Sequence, residues 1–179
     1  MVVDTKGTVI ISAFPGCGKT WCYNNVKKYK MLDSDSSYFS WLYNENKQKT
    51  DVRNPEFPGN YIKHIKENFG KCDIIFVSSH KEVRDALKAE SIPYVLVFPE
   101  NTMENELFYM EGYRARGSDS KFCAFIRENW SNFIDEMKME EWPVQYVLGS
   151  YQEPSKKNLY AVLDDIVEVN RDYTNTEEE

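Results

Sequence analysis

"TVIISAFPGCGKTW", residues 8–21, joins a β-branched apolar run to a glycine-rich turn that ends in Lys19 and Thr20. Gly16 and Gly18 have no side chains, so the backbone of the turn can direct its N–H groups inward and form a concave anion nest. A helix that begins directly after the turn points the positive end of its dipole at the same place. The stretch therefore predicts a strand, a phosphate-binding turn and a helix in succession.

The turn follows the P-loop pattern G-x-x-x-x-G-K-[ST] over residues 13–20, with alanine at the position of the first glycine. In this pattern Lys19 reaches the β- and γ-phosphates of ATP, and the hydroxyl of Thr20 is a ligand of Mg²⁺. The alternative is a plain glycine turn with an incidental lysine, but the apolar run before it and the helical segment after it favour the P-loop. The predicted nucleotide-binding residues are Ala13, Pro15, Gly16, Cys17, Gly18, Lys19 and Thr20.

The composition indicates one globular domain. A length of 179 residues suits a single domain, and 41% hydrophobic with 15% aromatic residues supplies a sizeable core. The net charge of −7 argues against a general polyanion binder, although it leaves room for a local basic cleft. The four cysteines form no C-x-x-C pair, which is typical of reduced thiols in an intracellular protein. Because no signal peptide or long apolar run is visible, we expect a cytoplasmic protein without a membrane partner.

Five short apolar runs alternate with polar, helix-like segments, an order typical of an α/β protein with a parallel sheet. The predicted strands are residues 8–14, 30–33, 73–79, 94–99 and 144–150. The predicted helices lie near residues 20–30, 60–69, 80–90, 103–116, 119–138 and 155–169. The polar, proline-containing segment 44–60 predicts a loop or an insertion over the sheet edge. Residues 171–179 predict an acidic, fraying tail after a single domain of residues 1–170.

Two aspartates follow the second apolar run, at the sheet edge where ligands of such folds bind. Asp33 and Asp35 are two residues apart, so on an extended segment both carboxylates can face one cavity. We expect Asp33 to hold the water shell of Mg²⁺ and Asp35 to accept a proton from an attacking hydroxyl. The alternative is an ordinary turn in which these side chains cap the next helix.

The third apolar run ends in Ser78, Ser79 and His80, where many P-loop proteins carry a magnesium-directed aspartate. The missing aspartate makes Asp33 the expected partner of the metal. Ser79 and Glu82 match a capping box, and His80 is interpreted as a first-turn helix residue rather than a general base.

Arg114 and Arg116 occur at the end of a helical segment, just before a glycine-serine turn. Arginines on a mobile lid neutralise the charge of a transferring phosphoryl group, whereas arginines at a solvated helix end favour the helix dipole. Residues two apart do not share a helix face, so we expect one of them to point inward.

A second set of side chains follows the paired aspartates and belongs to the acceptor side under the same interpretation. Tyr38, Phe39 and Trp41 either wall an acceptor pocket or pack internally. Arg53 and Lys63 either contact an acceptor phosphate or lie in solvent.

Together, "AFPGCGKT", the Asp-Ser-Asp and the arginine segment resemble the P-loop kinases of nucleotides and small metabolites, over about residues 8–150. The combination "FPGCGKT…LDSDSSYFSW…DIIFVSSHKEVRDAL…YVLVFPE" is similar to small kinases encoded in phage genomes. Some of these are labelled nucleoside monophosphate kinases, and related phage enzymes phosphorylate 5-hydroxymethyluracil within DNA. The Asp-x-Asp element also resembles that of shikimate-type and polynucleotide kinases, whose acceptors are hydroxyls.

The resemblance implies a three-layer P-loop kinase fold with strand order 2-3-1-4-5 and a helical lid at about residues 103–120. It implies ATP- and Mg²⁺-dependent transfer of the γ-phosphate to a nucleotide or nucleotide-like acceptor of the nucleoside monophosphate type. An alternative acceptor is a hydroxyl, such as 5-hydroxymethyluracil in DNA or a polynucleotide end. A different class of function is an NTP-binding or ATPase module without an acceptor. The expected location is the cytoplasm, that of the host cell for a phage protein, with no obligate protein partner.

Overall fold

Strands and helices alternate along the chain in the computed structural model, which describes residues 1–175. The strands are β1 (Val9–Ala13), β2 (Met31–Asp33), β3 (Trp41–Tyr43), β4 (Lys49–Arg53), β5 (Ile74–Ser78), β6 (Val95–Pro99) and β7 (Val144–Leu148). All except β3 and β4 form one parallel sheet, in the order β2-β5-β1-β6-β7. The predictions of an α/β protein and of five parallel strands are confirmed.

The central strands of the sheet are covered on both faces. Every residue of β1 and β6 is buried, which requires packing above and below because successive side chains point to opposite faces. The residues of β1 pair in register with β5, from Val9 opposite Ile74 to Ala13 opposite Ser78. The carboxyl ends of these two strands therefore meet at one edge.

The helices of the described residues follow the predicted segments with shifted ends, except the short helix at Ser37–Ser40, which no predicted segment covers. They are α1 (Lys19–Asn25), α2 (Ser37–Ser40), α3 (Gly59–Glu67), α4 (Lys81–Ala89), α5 (Met103–Ala115), α6 (Ser120–Lys138) and α7 (Leu163–Asn175). Helix α1 ends at Asn25, earlier than expected, because Val26 adopts an extended conformation. A 3₁₀ turn over Leu159–Val162 precedes α7, and the Asn158 side chain caps that turn. No helix within residues 1–175 combines the length and the apolar character needed to cross a bilayer.

The segment 44–60, expected to be a loop or an insertion over the sheet edge, contains a strand at Lys49–Arg53. Strands β3 and β4 form an antiparallel hairpin in which Trp41 lies opposite Arg53 and Tyr43 opposite Lys49. The turn between them is closed by the Asn44 side chain rather than by a glycine. The hairpin therefore lacks the usual sequence signal for a tight turn.

The C-terminal helix extends further than the sequence predicts. Helix α7 continues to Asn175, five residues into the segment predicted to be the acidic tail. The rest of that segment, residues 176–179, lies outside the described residues.

Candidate functional site

The glycine-rich turn connects the end of β1 to the start of α1, as the sequence predicts. Gly16 has a φ of +88° and Gly18 a φ of +105°, both in the region that only glycine enters readily. A Cβ on Gly16 would also lie 2.7 Å from the Tyr113 ring. Both positions therefore need glycine to hold the turn in this shape.

The turn is fixed from outside by hydrogen bonds to distant parts of the chain. The amide of Phe14 donates to the carbonyl of Val97 in β6 at 2.8 Å. The amide of Leu159 donates to the carbonyl of Cys17 at 2.8 Å. The hydroxyl of the buried Tyr113, in α5, donates to the carbonyl of Pro15. Such ties preorganise a binding loop.

Cys17 serves the turn as a packing residue. Its side chain is buried, and its Sγ lies 3.4 Å from the hydroxyl of Tyr109. Burial raises the pKa of the Cys17 thiol to about 11. The thiol therefore stays protonated and unreactive at neutral pH.

Lys19 lies at the centre of a group of charges. Its Nζ donates to the carbonyl of Ala13 at 2.8 Å, so the ammonium sits within the loop. Loss of hydration lowers the pKa of Lys19, and the carboxylates of Asp33 and Asp35 oppose this shift. The guanidinium of Arg116 lowers that pKa further. Three other predicted site residues, Asp33, Asp35 and Arg116, therefore lie within electrostatic reach of Lys19.

Thr20 and Asp33 are joined directly. Thr20 Oγ1 donates to Asp33 Oδ2 at 3.1 Å, which links the first turn of α1 to the carboxyl end of β2. A hydroxyl beside a carboxylate fits Mg²⁺, which takes one or two protein oxygens and completes its shell with waters and phosphates. Within residues 1–175 no cluster of three or more His, Cys, Asp or Glu side chains could hold a metal by itself. Thr20 and Asp33 could therefore hold Mg²⁺ together with bound phosphates.

The Asp35 carboxylate fits both interpretations of the Asp-Ser-Asp element, as a local turn contact and as a site residue. Its Oδ1 accepts a hydrogen bond from the amide of Ser37 at 2.8 Å, a contact of the Asx-turn type just before Ser36, the N-cap of α2. Its Oδ2 accepts no hydrogen bond from the described residues, and the side chain is exposed. One carboxylate oxygen therefore fixes the side chain, and the other is available to a ligand.

Tyr61 is a supporting residue that sequence reasoning missed. Its side chain is fully buried, and its hydroxyl donates to the carbonyl of Ser34 at 2.7 Å. The same hydroxyl lies 3.4 Å from the amide of Ser78, at the end of β5. Tyr61 therefore fixes the chain between Asp33 and Asp35. Its partners are backbone groups far along the chain, so no local motif announces it.

The predicted capping box at Ser79 and Glu82 is wrong. Helix α4 begins one residue later, with His80 as N-cap and no side-chain capping bond, so Glu82 lies one position too early in the helix to cap it. The carbonyl of Ser79 instead accepts a hydrogen bond from the buried Arg84 guanidinium at 2.9 Å.

His80 lies at the same sheet edge as the charged site. Loss of hydration lowers the pKa of His80, and the charges of Lys19 and Arg53 lower it further. The carboxylate of Asp35 acts in the opposite direction. The charges that act on His80 thus come from the glycine-rich turn, the hairpin and the aspartate pair.

Arg114 and Arg116 point to different places. The Arg116 guanidinium lies over the Tyr113 ring at 4.9 Å, and its Nε donates to Ser118 Oγ at 3.0 Å. From there its charge acts on Lys19. Arg114 lines a groove of about 800 Å³ between α5 and α6, together with Arg127. Arg116 is therefore the arginine of this pair that contacts Tyr113, the residue packed against the glycine-rich turn.

No protein-family model and no curated protein matches this chain. Its function is therefore inferred from the side chains gathered at the carboxyl edge of the sheet. The groups at this edge are the glycine-rich turn, the Lys19 ammonium, the Thr20–Asp33 pair, the Asp35 carboxylate and the Arg116 guanidinium.

Proposed function

We propose that the protein is an ATP-dependent phosphotransferase with a nucleotide or nucleotide-like acceptor, the nucleoside monophosphate type being the first candidate. The observation that carries the proposal is the contact between Thr20 and Asp33 beside the glycine turn. It joins a site for Mg²⁺ to a site for phosphate, and that combination is what nucleotide phosphoryl transfer requires.

The fold supports this proposal. Counted without the two hairpin strands, the sheet order reads 2-3-1-4-5, which is the order that the resemblance to P-loop kinases implies. The turn after β1 and the aspartates after β2 lie at the edge where ligands of parallel α/β sheets bind.

The lid of the proposal is shorter than residues 103–120. Helix α5 is anchored by its buried side chains, among them Tyr109, Met110 and Tyr113. The residues from Arg114 to Asp119 are largely exposed. We assign the moving part to this short segment, which carries Arg116 against the ring of Tyr113.

Each side chain has a role in positioning and charge neutralisation. The backbone N–H groups of the turn hold the β-phosphate, and Lys19 neutralises the β- and γ-phosphates. Thr20 and Asp33 would hold Mg²⁺, which would supply positive charge to neutralise the phosphates of ATP. Arg116 stabilises the charge on the transferring group from the opposite side.

A hydroxyl acceptor is the second candidate, and the available oxygen of Asp35 favours it. The acceptor oxygen forms a bond to the γ-phosphorus while the bond from that phosphorus to the bridging oxygen breaks and ADP leaves. Asp35 takes the hydroxyl proton as the new bond forms. A phosphate acceptor is already ionised and needs no such base. 5-Hydroxymethyluracil in DNA and a polynucleotide end are acceptors of this second kind.

Labelled ATP tests the proposal and separates the acceptors. The protein is incubated with γ-labelled ATP and Mg²⁺ and with a panel of nucleosides, nucleoside monophosphates, hydroxymethylated DNA and oligonucleotide ends. Label on an acceptor supports a kinase and identifies its class. Release of free phosphate alone, unchanged by any acceptor, supports an ATPase module instead. No consumption of ATP in any mixture contradicts the proposal.

A further inference from the structure

The hairpin of β3 and β4 presents an aromatic and cationic surface, which we call the hairpin face. It consists of Tyr38, in α2 just before the hairpin, and of Trp41, Tyr43, Lys49 and Arg53. The exposed Asp51 lies between the two cations along β4. The two cross-strand pairs, Trp41 with Arg53 and Tyr43 with Lys49, each place a cation opposite a ring. The proposed kinase chemistry uses none of these five side chains.

Trp41 positions both cations of the hairpin face. Lys49 Nζ lies 4.8 Å from the centre of the indole, and the guanidinium carbon of Arg53 lies 5.2 Å from it. Such contacts hold a cation without neutralising it. Arg53 also pairs with Glu82 at 3.0 Å, whereas Lys49 contacts no carboxylate of the described residues. Lys49 therefore keeps its charge for a ligand.

Two rings of the hairpin face are stacked and open to solvent. Tyr38 and Tyr43 lie 6.2 Å apart with an interplanar angle of 14°. Tyr38 is 68% exposed and Tyr43 37% exposed. Exposed rings of this kind are stacking platforms for the bases of a single-stranded nucleic acid, each base contributing through its flat face.

The hairpin face begins at the proposed transfer site and extends away from it. Arg53, at one end of β4, pairs at 3.0 Å with Glu82 in the first turn of α4, the helix that follows the carboxyl end of β5. The amide of Tyr38 donates to the carbonyl of Asp35 at 3.4 Å. From Arg53 to Lys49 the strand covers roughly 13 Å at about 3.3 Å per residue. This length corresponds to about four stacked base steps at about 3.4 Å each, more than one nucleotide needs.

We propose that the hairpin face binds a single-stranded nucleic acid and so presents one of its nucleotides to the transfer site. This inference rests on the proposed function and selects a polymer as its acceptor. Within the hairpin, Lys47, Lys49 and Arg53 outnumber the acidic Glu45 and Asp51. The net charge of −7 opposes the broad phosphate contacts of duplex binding, whereas a short run of rings and cations suits a single strand.

Binding without ATP tests the surface independently of catalysis. Fluorescence anisotropy is measured with a labelled oligothymidylate, the corresponding RNA, the annealed duplex and a labelled mononucleotide. We expect the single strands to bind more tightly than the duplex and the mononucleotide, and the DNA and RNA arms identify the preferred polymer. Equal or weaker binding of the single strands would overturn the inference.

Variants of the hairpin face then locate the contact. We expect Tyr38→Ala and Tyr43→Ala each to weaken oligonucleotide binding about tenfold or more, because each removes a stacking surface. Lys49→Ala should make the salt dependence of binding less steep by about one phosphate contact. Val52→Ala, an exposed change in the same hairpin without a ring or a charge, is the matched control. Tyrosine variants that bind like the control would overturn the inference.

Transfer assays separate this inference from the proposed function. Loss of transfer to an oligonucleotide in the tyrosine variants, with transfer to a mononucleotide kept, supports both. Wild-type transfer to a mononucleotide without any oligonucleotide binding overturns the hairpin face and keeps the kinase. Oligonucleotide binding that depends on the tyrosines, without transfer to any acceptor, keeps the surface and contradicts the kinase.

Discussion

The glycine-rich turn of residues 13–20 and the hairpin face differ in how they are held. The turn is fixed by contacts with distant elements, whereas the hairpin face is stabilised mainly at its own surface. The loop is tied by hydrogen bonds to β6, to α5 and to the 3₁₀ turn before α7, and Tyr113 behind it is buried. The hairpin is held by its own turn, by contacts between rings and cations at its surface, and by the exposed ion pair of Arg53 with Glu82 in α4. In the proposed function, the turn that holds the phosphates of ATP is therefore rigid, and recognition of the acceptor is assigned to an exposed hairpin.

Of the variants that test this comparison, Lys19→Ala should have the largest effect on the rate of phosphate transfer. We expect Lys19→Ala to reduce phosphate transfer about 10³-fold or more, since it leaves the developing charge without its closest cation. The rate of transfer from labelled ATP measures the effect. The melting temperature should change little, because the Lys19 side chain makes only one hydrogen bond, to the Ala13 carbonyl, within the described residues.

The control for this variant is Lys27→Ala, which removes an exposed lysine just beyond α1 that contacts only the Asn24 carbonyl. Near-normal transfer by Lys19→Ala would break the assignment of the loop.

Asp35 lies between the two regions, and its substitution distinguishes the acceptors. With a hydroxyl acceptor, Asp35→Asn should lower kcat about 10²-fold, because the amide keeps the shape but cannot take the proton. With a phosphate acceptor, KM for the acceptor should rise while kcat changes less. Measuring both constants shows whether Asp35 accepts a proton during transfer or only helps to bind the acceptor. Wild-type constants would reduce Asp35 to a turn contact with the Ser37 amide.

The rigidity of the loop can be tested at Gly16. Gly16→Ala places a Cβ 2.7 Å from the Tyr113 ring at a φ of +88°, so we expect a loss of about 2 kcal/mol in the free energy of unfolding. Denaturant titration measures this loss. Gly117→Ala is the matched control, since Gly117 has a φ of +75° but open space around a Cβ. Equal losses in both variants would show that the contact with Tyr113 does not hold the loop.

The smallest expected effect on the transfer rate is the difference between the Arg116→Ala and Arg114→Ala variants. Arg116→Ala should slow transfer about tenfold, because it removes a charge-assisted contact to the transferring group. Arg114→Ala should leave the rate near the wild-type value, since Arg114 lies in the groove between α5 and α6. Single-turnover rates compare the two variants. The reverse order of effects would contradict the position assigned to Arg116.

The same contrast explains what the sequence predicts well. Continuous β-branched runs mark strands that are buried on both faces, and β1, β5 and β6 are found where such runs occur. The glycines of the loop are visible because a left-handed backbone excludes other residues, as Gly16 and Gly18 illustrate.

Contacts between distant parts of the chain carry no such signal. Tyr113 and Tyr61 donate to backbone carbonyls 98 and 27 residues away, so no spacing reveals them. The hairpin was missed because the Asn44 side chain accepts amides at 3.0 and 2.9 Å and Lys47 takes a φ of +58°, without a glycine between the strands. The motif residues of the glycine-rich turn can therefore be predicted from local sequence, whereas the residues that support them cannot.

Calorimetric titration of ATP, with and without Mg²⁺, tests most directly whether this sheet edge is a magnesium–nucleotide site. The wild-type protein should bind ATP, and Mg²⁺ should tighten the binding. Asp33→Asn should weaken the response to Mg²⁺ about 10–100-fold while ATP binding without the metal is kept, because the Thr20 hydroxyl loses its carboxylate partner. Absence of binding at millimolar ATP, or an unchanged response to Mg²⁺ in Asp33→Asn, would contradict the account.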